Sequence, residues 1–383
     1  MWYNNSGQVK TATVRQLCYY EELNREPGAN DQDGIRRCQM EVVGEYVDRL
    51  ITVEMRPRNF PSRDLIRALY DFACKKLKVR SLTLLAAQKI IKSIKKNDNV
   101  FIVTGVANMP FLPHGETDGP LGAVSLARAI NLGLDAKPLF VLAERDIESV
   151  RFTAKAAGLN VESYEIVAQA RNMACIIPYP YGEEAAKKAA KELIDRYSPT
   201  AVFSFEVTGP NIKGELHSSL GFNQTERKPH LHHLFDEASS RGILTIAGLD
   251  GGNEIGSGVV EEQVRRVTPY GNVCQCPCKA GMACRVKTDV AIPASTSNWA
   301  AYGVSAMLGL LLGKPDLIQD ADTEKRMLEA SIMAGAVDGV SFRPIPVVDG
   351  TWAETNQGIV TILRNMIENG LIGEELKRLA ERY

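Results

Sequence analysis

The sequence predicts an α/β protein with a doubly wound, mainly parallel sheet and helices on both faces. From Val100 to Leu312, short β-branched runs alternate with amphipathic stretches of helical length. This alternation is typical of βαβ crossovers, in which each helix returns the chain to a parallel strand. The apolar runs are continuous, which indicates strands that are covered on both faces.

Each element follows from a local pattern. Strands are predicted at 100–104, 137–143, 174–177, 201–205, 243–247 and 289–292, the third of them as an edge strand. Apolar residues at helical spacing predict helices at 61–73, 81–94, 119–133, 147–158, 183–197, 230–241, 259–267, 299–312, 324–334 and 355–369. Ser62 is the predicted N-cap of the first helix, and Pro120 suits the first position of the third.

The composition is that of a folded globular protein. Hydrophobic residues make up 45% of the chain and charged residues 24%, which excludes a disordered chain. Because 45 Lys and Arg balance 46 Asp and Glu, no basic surface favours nucleic acid or an anionic membrane as a partner. No apolar run approaches the ~20 residues of a membrane span, so no membrane partner is expected.

The predicted organisation is a polar leader, residues 1–46, followed by one catalytic unit, residues 47–383, with a cysteine-rich insert at 271–287. The N-terminus lacks the charged and apolar regions of a secretory signal. Four scattered cysteines suit a reducing compartment. We therefore expect a cytoplasmic protein, with the mitochondrial matrix as the alternative.

Ligands of an open α/β sheet bind beyond the carboxyl ends of its strands, so we expect the functional residues in the loops there. The loop after Thr104 carries Glu116, Thr117, Asp118 and Gly119 just before a predicted helix. These residues either cap that helix or converge on a ligand. The loop lacks the glycine fingerprint of dinucleotide sites and the lysine of a phosphate loop, which disfavours both classes.

A second loop, residues 248–258, is rich in glycine and carries the acids Asp250 and Glu254. Backbone N–H groups at Gly251 and Gly252 can approach a ligand closely, and Asn253 adds an amide. Carboxylates in such a loop can hold an amine, a metal ion or a proton in transit. A flexible Asp-Gly turn is the alternative interpretation.

Two further loops add candidates. In the loop after the predicted strand 201–205, Glu206 is the strongest candidate for a functional residue. Lys213 and His217 of the same loop are interpreted as solvated. Ser297 and Asn298 lie where a strand meets a helix, and capping that helix explains them as well as ligand contact does.

The cysteine-rich insert contains Cys274, Cys276, Cys278 and Cys284. Their spacing is not that of a zinc ribbon or a ferredoxin. A metal or cluster site, disulfides or redox-sensitive thiols, and no special role all stay open. The histidine tract at 230–233 is interpreted as a solvated helix start and not as a metal site.

Four motifs carry a family resemblance. The segments 116–123, 250–256, 297–299 and 334–340, which read ETDGPLGA, DGGNEIG, SNW and AGAVDGV, are similar to motifs of the D-glutamate cyclase family. The similarity covers about residues 47–370 and corresponds to the C-terminal catalytic region of the family's mitochondrial animal member. The resemblance implies a hydro-lyase that converts the small molecule D-glutamate to 5-oxo-D-proline with loss of water.

This reaction requires an amine that loses protons and a carboxyl group that becomes electrophilic. Our hypothesis makes Asp250 or Glu254 the base, with Glu116 and Asp118 orienting the amine or a divalent cation. Substrate contacts are assigned to Thr117, Gly119, Glu206, Gly251, Gly252, Asn253, Ser297 and Asn298.

Two other functions compete with this hypothesis. One is a nucleotide- or NAD-dependent enzyme on a Rossmann-like sheet. The other is a non-catalytic binder of acidic amino acids with redox- or metal-responsive cysteines. A homo-oligomer is compatible with all three.

Overall fold

The computed structural model describes residues 2–3, 9–10, 31–55, 64–105 and 107–380, and their side chains between 39 and 370. The strands of these ranges are β1 Trp2–Tyr3, β2 Val9–Lys10, β3 Asn99–Thr104, β4 Lys137–Ala143, β5 Asn160–Val161, β6 Met173–Tyr179, β7 Ala201–Phe205, β8 Leu244–Leu249, β9 Val290–Pro293, β10 Val347–Val348 and β11 Thr351–Trp352. The helices are α1 Asp31–Ile51, α2 Leu65–Leu77, α3 Leu82–Ser93, α4 Pro120–Leu134, α5 Ile147–Ala156, α6 Tyr164–Val167, α7 Glu183–Tyr197, α8 His232–Ser240, α9 Glu261–Val267, α10 Ser297–Leu312, α11 Ala321–Met333 and α12 Ala353–Ala380.

Seven of these strands form one sheet in the order β5-β6-β4-β3-β7-β8-β9, and every pair in it is parallel. Within this sheet the chain first forms the central strand β3, then one half of the sheet with β4, β5 and β6, and then crosses to β7 on the other side of β3. The strand order therefore reverses between β3 and β7, where a doubly wound sheet opens a crevice for ligands. The predicted fold class is confirmed.

Both faces of the sheet are covered. Val100 and Ile102 point into an apolar core with helices on one face, while Phe101 and Val103 point into a second core on the other. Because successive strand residues point to opposite faces, a centrally placed strand must be apolar at every position. This is the physical reason for the continuous apolar runs in the sequence.

Several predicted elements differ in detail. The strand at 174–177 is wrong as an edge strand, since β5 pairs along its outer side. That partner has only two residues, too few to leave a periodic pattern in the sequence. Ser62 lies outside the described residues, and the described part of its helix begins at Leu65 after Asp64, which has left-handed backbone angles.

The predicted leader boundary at residue 46 falls inside α1. Val47 and Ile51 of this helix are fully buried in the core, and the partly buried Met40 and Val43 pack against it. The described part of the leader thus contributes to the fold, and the division of the chain into 1–46 and 47–383 stays a prediction. Among the described helices, none combines the length and the apolar character that crossing a bilayer requires.

A buried carboxyl group makes stability depend on pH. Glu324 of α11 is 1% exposed. Its oxygens accept hydrogen bonds from the Tyr302 hydroxyl at 2.9 Å and the Gln319 amide at 2.9 Å. Burial raises the pKa of Glu324 from 4.5 to about 7, although both hydrogen bonds lower it. A raised pKa favours the protonated folded state, so this stabilisation is complete below pH 4.5 and is lost as the pH rises through 7.

We expect Glu324→Gln to flatten this dependence. Relative to the wild type, its free energy of unfolding should improve by about 3 kcal/mol between pH 4.5 and pH 8. Urea unfolding across this range measures the difference. Glu329→Gln on the same helix is the matched control, because Glu329 is an exposed ion-pair partner of Lys325. If the free energy of unfolding changes with pH in the same way in Glu324→Gln and in the wild type, the prediction is wrong.

Candidate active site

The candidate site lies at the carboxyl edge of the sheet, at the reversal between β3 and β7. Glu116 and Asp118 follow β3, Glu206 follows β7, and Asp250 follows β8. Ser297 begins the helix after β9. Parallel strands deliver these residues to one edge because their carboxyl ends coincide there.

Asp118 and Asn298 join two helices by capping each other's helix. The oxygens of Asp118 accept the N–H groups of Ser297 and Asn298, the first turn of α10, each at 2.8 Å. In return, Asn298 Oδ1 accepts the N–H groups of Gly119 at 2.9 Å and Gly122 at 2.6 Å, at the start of α4. The acid therefore caps a helix distant in sequence, which local pattern cannot show.

The hydroxyl of Ser297 is available to the site because another residue, Thr296, caps α10. The N-cap is Thr296, whose hydroxyl accepts the Trp299 N–H at 3.2 Å, so neither Ser297 nor Asn298 is the N-cap of its own helix. The Ser297 hydroxyl donates instead to Glu206 Oε2 at 2.6 Å. Thr117 is also held in place, since its hydroxyl donates to the Val347 carbonyl at 2.7 Å and its own carbonyl accepts from Asn298.

Glu206 is held in a strained backbone conformation. It follows β7 directly with φ of 55°, in the left-handed region that residues with a side chain rarely adopt. Such strain persists only where the surroundings enforce it, often at functional sites. Gly119, with φ of 94°, lies against it, and a Cβ on Gly119 would come within 2.7 Å of the Glu206 Cβ. Only glycine fits at that position.

Asp118, Glu206 and Asp250 converge. One carboxylate oxygen of each lies within 4.8 Å of the others. Asp118 and Asp250 are buried, and Glu206 is partly buried. Burial raises the pKa of Glu206 well above its ordinary value, and the charges of Glu254, Asp118 and Asp349 raise it further. This group of three carboxylates is called the carboxylate triad below.

Glu254 is engaged by its own loop. Its oxygens accept the N–H groups of Gly251 at 2.7 Å and Gly252 at 2.6 Å, with longer bonds from Asp250 N and Ser257 Oγ, both at 3.3 Å. The predicted ligand-facing N–H groups of Gly251 and Gly252 thus turn inward to this carboxylate. The side chain shapes the loop that presents Asp250.

Asn253 is used in a similar way. Its amide donates to the carbonyl of His217 at 2.9 Å, which ties the glycine-rich loop to the loop after β7. The structure therefore brings together all the predicted acids, but N–H groups of its own loop engage Glu254, and the loop after β7 engages Asn253.

Glu116 lies in a second acidic group beside the triad. Burial raises its pKa well above the ordinary value, and the charges of Glu206, Asp349 and Asp118 add to the rise. A backbone bridge joins Glu116 to Val337, with the Thr117 N–H donating to the Val337 carbonyl at 3.0 Å. The motif at 334–340 thus forms a wall of the site.

Sequence reasoning missed several charged residues of this site. Lys228 is 5% exposed; burial lowers its pKa, while Glu116, Asp146 and Glu206 attract its charge and oppose that change. Burial raises the pKa of Asp146 to about 6, although Lys228 and the Ala107 N–H lower it. Lys228 follows Glu226 and Arg227 and so reads as one of a run of solvated charges, which hides its burial.

Asp349 was also missed. It lies in the turn between β10 and β11 with φ of 48°, and its charge raises the pKa of both Glu116 and Glu206. Asp338 fixes this turn, because its oxygens accept the N–H groups of Ser341 at 2.8 Å and Gly350 at 2.9 Å. The Asp-Gly pair at 349–350 is typical of a hairpin turn. The strands on either side have only two residues each, too few to show the alternation that predicts a hairpin.

Three of the four clustered cysteines lie close to a histidine in space. Cys274, Cys276 and Cys278 have their sulfur atoms near the ring of His217, all ligand atoms lying within 4.8 Å. Burial raises the pKa of the Cys274 thiol, but hydrogen bonds with Cys278 and Cys276 outweigh this and lower it to about 6. His217 is fully buried, so its interpretation as a solvated residue is wrong.

Cys284 lies apart from this group. It is fully buried, its sulfur accepts the Val286 N–H at 3.3 Å, and it packs against Gly209. Burial raises the pKa of its thiol. The candidate metal ligands in this region are therefore three cysteines and His217, and not the four cysteines that the sequence predicts.

The histidine tract is not solvated either. His230 and His232 are 5% and 3% exposed, and Glu183 contacts the rings of His230 and His233. Burial, together with the neighbouring His233 and His230, lowers the pKa of His232 to about 2. The tract begins a helix as predicted, but its side chains pack against α7.

The fold and the site define an α/β protein with acid–base side chains at the switch point of a doubly wound sheet. Residues 70–364 match the family model described as D-glutamate cyclase-like, C-terminal, and the chain belongs to this family. The resemblance inferred from the four motifs is thereby confirmed.

A curated relative is the D-glutamate cyclase, mitochondrial, of Homo sapiens. It is 26% identical over 239 residues, which cover 60% of this chain and 36% of the human protein. The aligned part thus spans about a third of that relative's length.

Proposed function

We propose that this protein cyclises D-glutamate to 5-oxo-D-proline with loss of water. The observation that carries the proposal is the carboxylate triad at the switch point, near the buried residues Glu116 and Lys228. Family membership supports a D-glutamate cyclase type of reaction, and the carboxylates supply the acid–base groups that this reaction needs.

The charges of the site match those of the substrate. D-Glutamate carries one ammonium group and two carboxylates. The ammonium group is the natural partner of the carboxylate triad, and Lys228 offers a buried positive charge to a substrate carboxylate. Binding the two ends of the substrate in this way curls the chain and brings the nitrogen to the γ-carboxyl carbon, which supplies the proximity contribution to catalysis.

Proton transfer follows from the pKa values. Two protons must leave the nitrogen, and two must join the oxygen that departs as water. In our proposal Asp250 accepts a proton from the ammonium group, so that the nitrogen attacks the γ-carboxyl carbon. Glu206 and Glu116, whose raised pKa values favour the protonated form, each donate one proton as the carbon–oxygen bond breaks and water leaves. The second proton of the nitrogen passes to the ionised Glu206 as the amide forms, and the proton on Asp250 returns to Glu116, so the site ends in its starting protonation state. Asp118 and Glu254 hold the loops in position.

The same three carboxylates are also suitable ligands for a divalent cation, which would polarise the γ-carboxyl group when bound. Oxygen donors of this type suit Mg²⁺ or Mn²⁺. The assay below therefore includes an arm with EDTA and an arm with added Mg²⁺.

The direct test incubates the purified full chain with D-glutamate or L-glutamate. We expect D-glutamate to be consumed with formation of an equal amount of 5-oxoproline, measured by chromatography. Binding of D-glutamate without turnover, with and without Mg²⁺, would contradict the proposal and favour the non-catalytic binder. Turnover that requires added NAD or a nucleotide would favour the alternative enzyme class.

The compartment and the oligomeric state stay predictions. The human relative is named as mitochondrial, whereas the cysteine usage of this sequence favours the cytoplasm.

A further inference from the structure

A compact set of ligand atoms lies beside the candidate active site, where the loop between α9 and β9 contacts the loop after β7. The sulfur of Cys274 is 3.4 Å from that of Cys276 and 3.3 Å from that of Cys278. The Nε2 atom of His217 is 3.2 Å from the Cys276 sulfur and 3.7 Å from the Cys278 sulfur. The four atoms come from two loops that are far apart in sequence.

The distances fit one tetrahedral ion. Zinc–sulfur bonds of ~2.3 Å place two sulfur ligands ~3.7 Å apart, so an ion needs the observed set to open by only a few tenths of an ångström. A disulfide needs sulfur atoms ~2.05 Å apart, and an iron–sulfur cluster holds its cysteines on several iron atoms and so spreads them wider.

The hydrogen-bond partners of His217 orient its ring so that one nitrogen can bind a metal ion. Its Nδ1 atom is 3.1 Å from the carbonyl of Glu215, which can only accept a hydrogen bond. The proton therefore belongs on Nδ1, and Nε2 points its lone pair at the sulfur atoms. The amide of Asn211 donates to the Cys278 sulfur at 3.5 Å, as partners of metal-bound thiolates do.

We propose that Cys274, Cys276, Cys278 and His217 bind a single structural zinc ion. All four protein ligands are close enough to complete the coordination, which is the mark of a structural and not a catalytic zinc site. Cys284 takes no part in it.

The ion would anchor the glycine-rich loop of the active site. The carbonyl of the ligand His217 accepts the Asn253 amide at 2.9 Å, and the Cys284 N–H donates to the Gly252 carbonyl at 3.1 Å. Both contacts reach the loop that presents Asp250. A zinc ion that fixes the two loops to each other therefore fixes this loop as well.

The test measures metal in the full chain, without reference to activity. Purified protein is exposed to Zn²⁺, dialysed and analysed for zinc, iron and acid-labile sulfide. We expect about one zinc per chain in the wild type. Cys276→Ser and His217→Ala should lower zinc affinity at least tenfold, because each removes one ligand. Cys74→Ser, at a cysteine of α2 outside the ligand set, and Cys284→Ala should keep full zinc content.

Replacement of zinc by Co²⁺ counts the thiolates. The wild type should show the visible bands of tetrahedral cobalt and a sulfur-to-cobalt charge-transfer band, and Cys276→Ser should lose about a third of the latter. Unchanged spectra in Cys276→Ser, loss of zinc in Cys284→Ala, or iron and sulfide in place of zinc would each overturn the proposal. Since the readout is bound metal, a failure here is distinct from a failure of the cyclisation assay.

Discussion

Asp250→Asn is expected to lower kcat for D-glutamate cyclisation by about 10²–10⁴-fold, because an amide cannot accept the proton that leaves the substrate nitrogen. The asparagine is nearly the same size, so the buried loop around it should keep its shape. Stopped assays with chromatographic detection of 5-oxoproline measure kcat, and far-ultraviolet circular dichroism checks the fold.

Asp71→Asn is the matched control for this variant. Asp71 is an exposed partner of Arg67 on α2, so the same chemical change there should leave kcat within twofold of the wild type. Near-wild-type turnover by Asp250→Asn would remove Asp250 from the mechanism. A loss of activity together with a loss of folded structure would instead assign it a structural role.

Glu254→Gln is expected to lower the free energy of unfolding by about 2–4 kcal/mol, because an amide replaces one carboxylate oxygen by a donor that faces N–H groups. Gly251, Gly252 and Asp250 all direct their N–H groups at this carboxylate. Turnover should fall as the loop loosens, while the pH dependence of kcat keeps its wild-type shape. Urea unfolding and a pH–rate profile measure the two effects.

Glu262→Gln, at an exposed glutamate of α9, controls for the change of charge. We expect no measurable change in its unfolding or its turnover. If Glu254→Gln keeps wild-type stability but loses the acidic limb of the pH–rate profile, then Glu254 and not Asp250 is the base. The two carboxylates, four residues apart in one loop, can thus be separated by experiment.

The sequence places both acids in one glycine-rich loop but cannot assign them different roles. Their difference arises from the direction of each side chain. Glu254 folds back onto the N–H groups of its own loop, whereas Asp250 joins Asp118 and Glu206 from other strands. The period of a strand or a helix carries no information about such directions within an irregular loop.

The cysteines show the same limit. Spacing grouped Cys284 with its three neighbours, because only distance along the chain is visible in a sequence. The fourth ligand position is instead filled by His217, from a loop 57 residues before the first cysteine of the group. Lys228, Asp146 and Asp349 were overlooked for a related reason, since burial of a charged residue depends on contacts with distant parts of the chain.

By itself, the sequence determined the alternation of strands and helices, the parallel sheet and the family, and it predicted the loops of the candidate site. The family was inferred from the resemblance of four motifs, whereas the alternation, the parallel sheet and the candidate loops follow from local periodicity and from the rule that parallel strands end at one edge. Only the tertiary structure decided that Asp118 accepts the first N–H groups of α10, that Ser297 donates to Glu206, that the three carboxylates of Asp118, Glu206 and Asp250 converge, and that Lys228 lies buried near them. The physical reason is that hydrogen bonds, burial and charge proximity are set by distances in space between residues far apart in the chain.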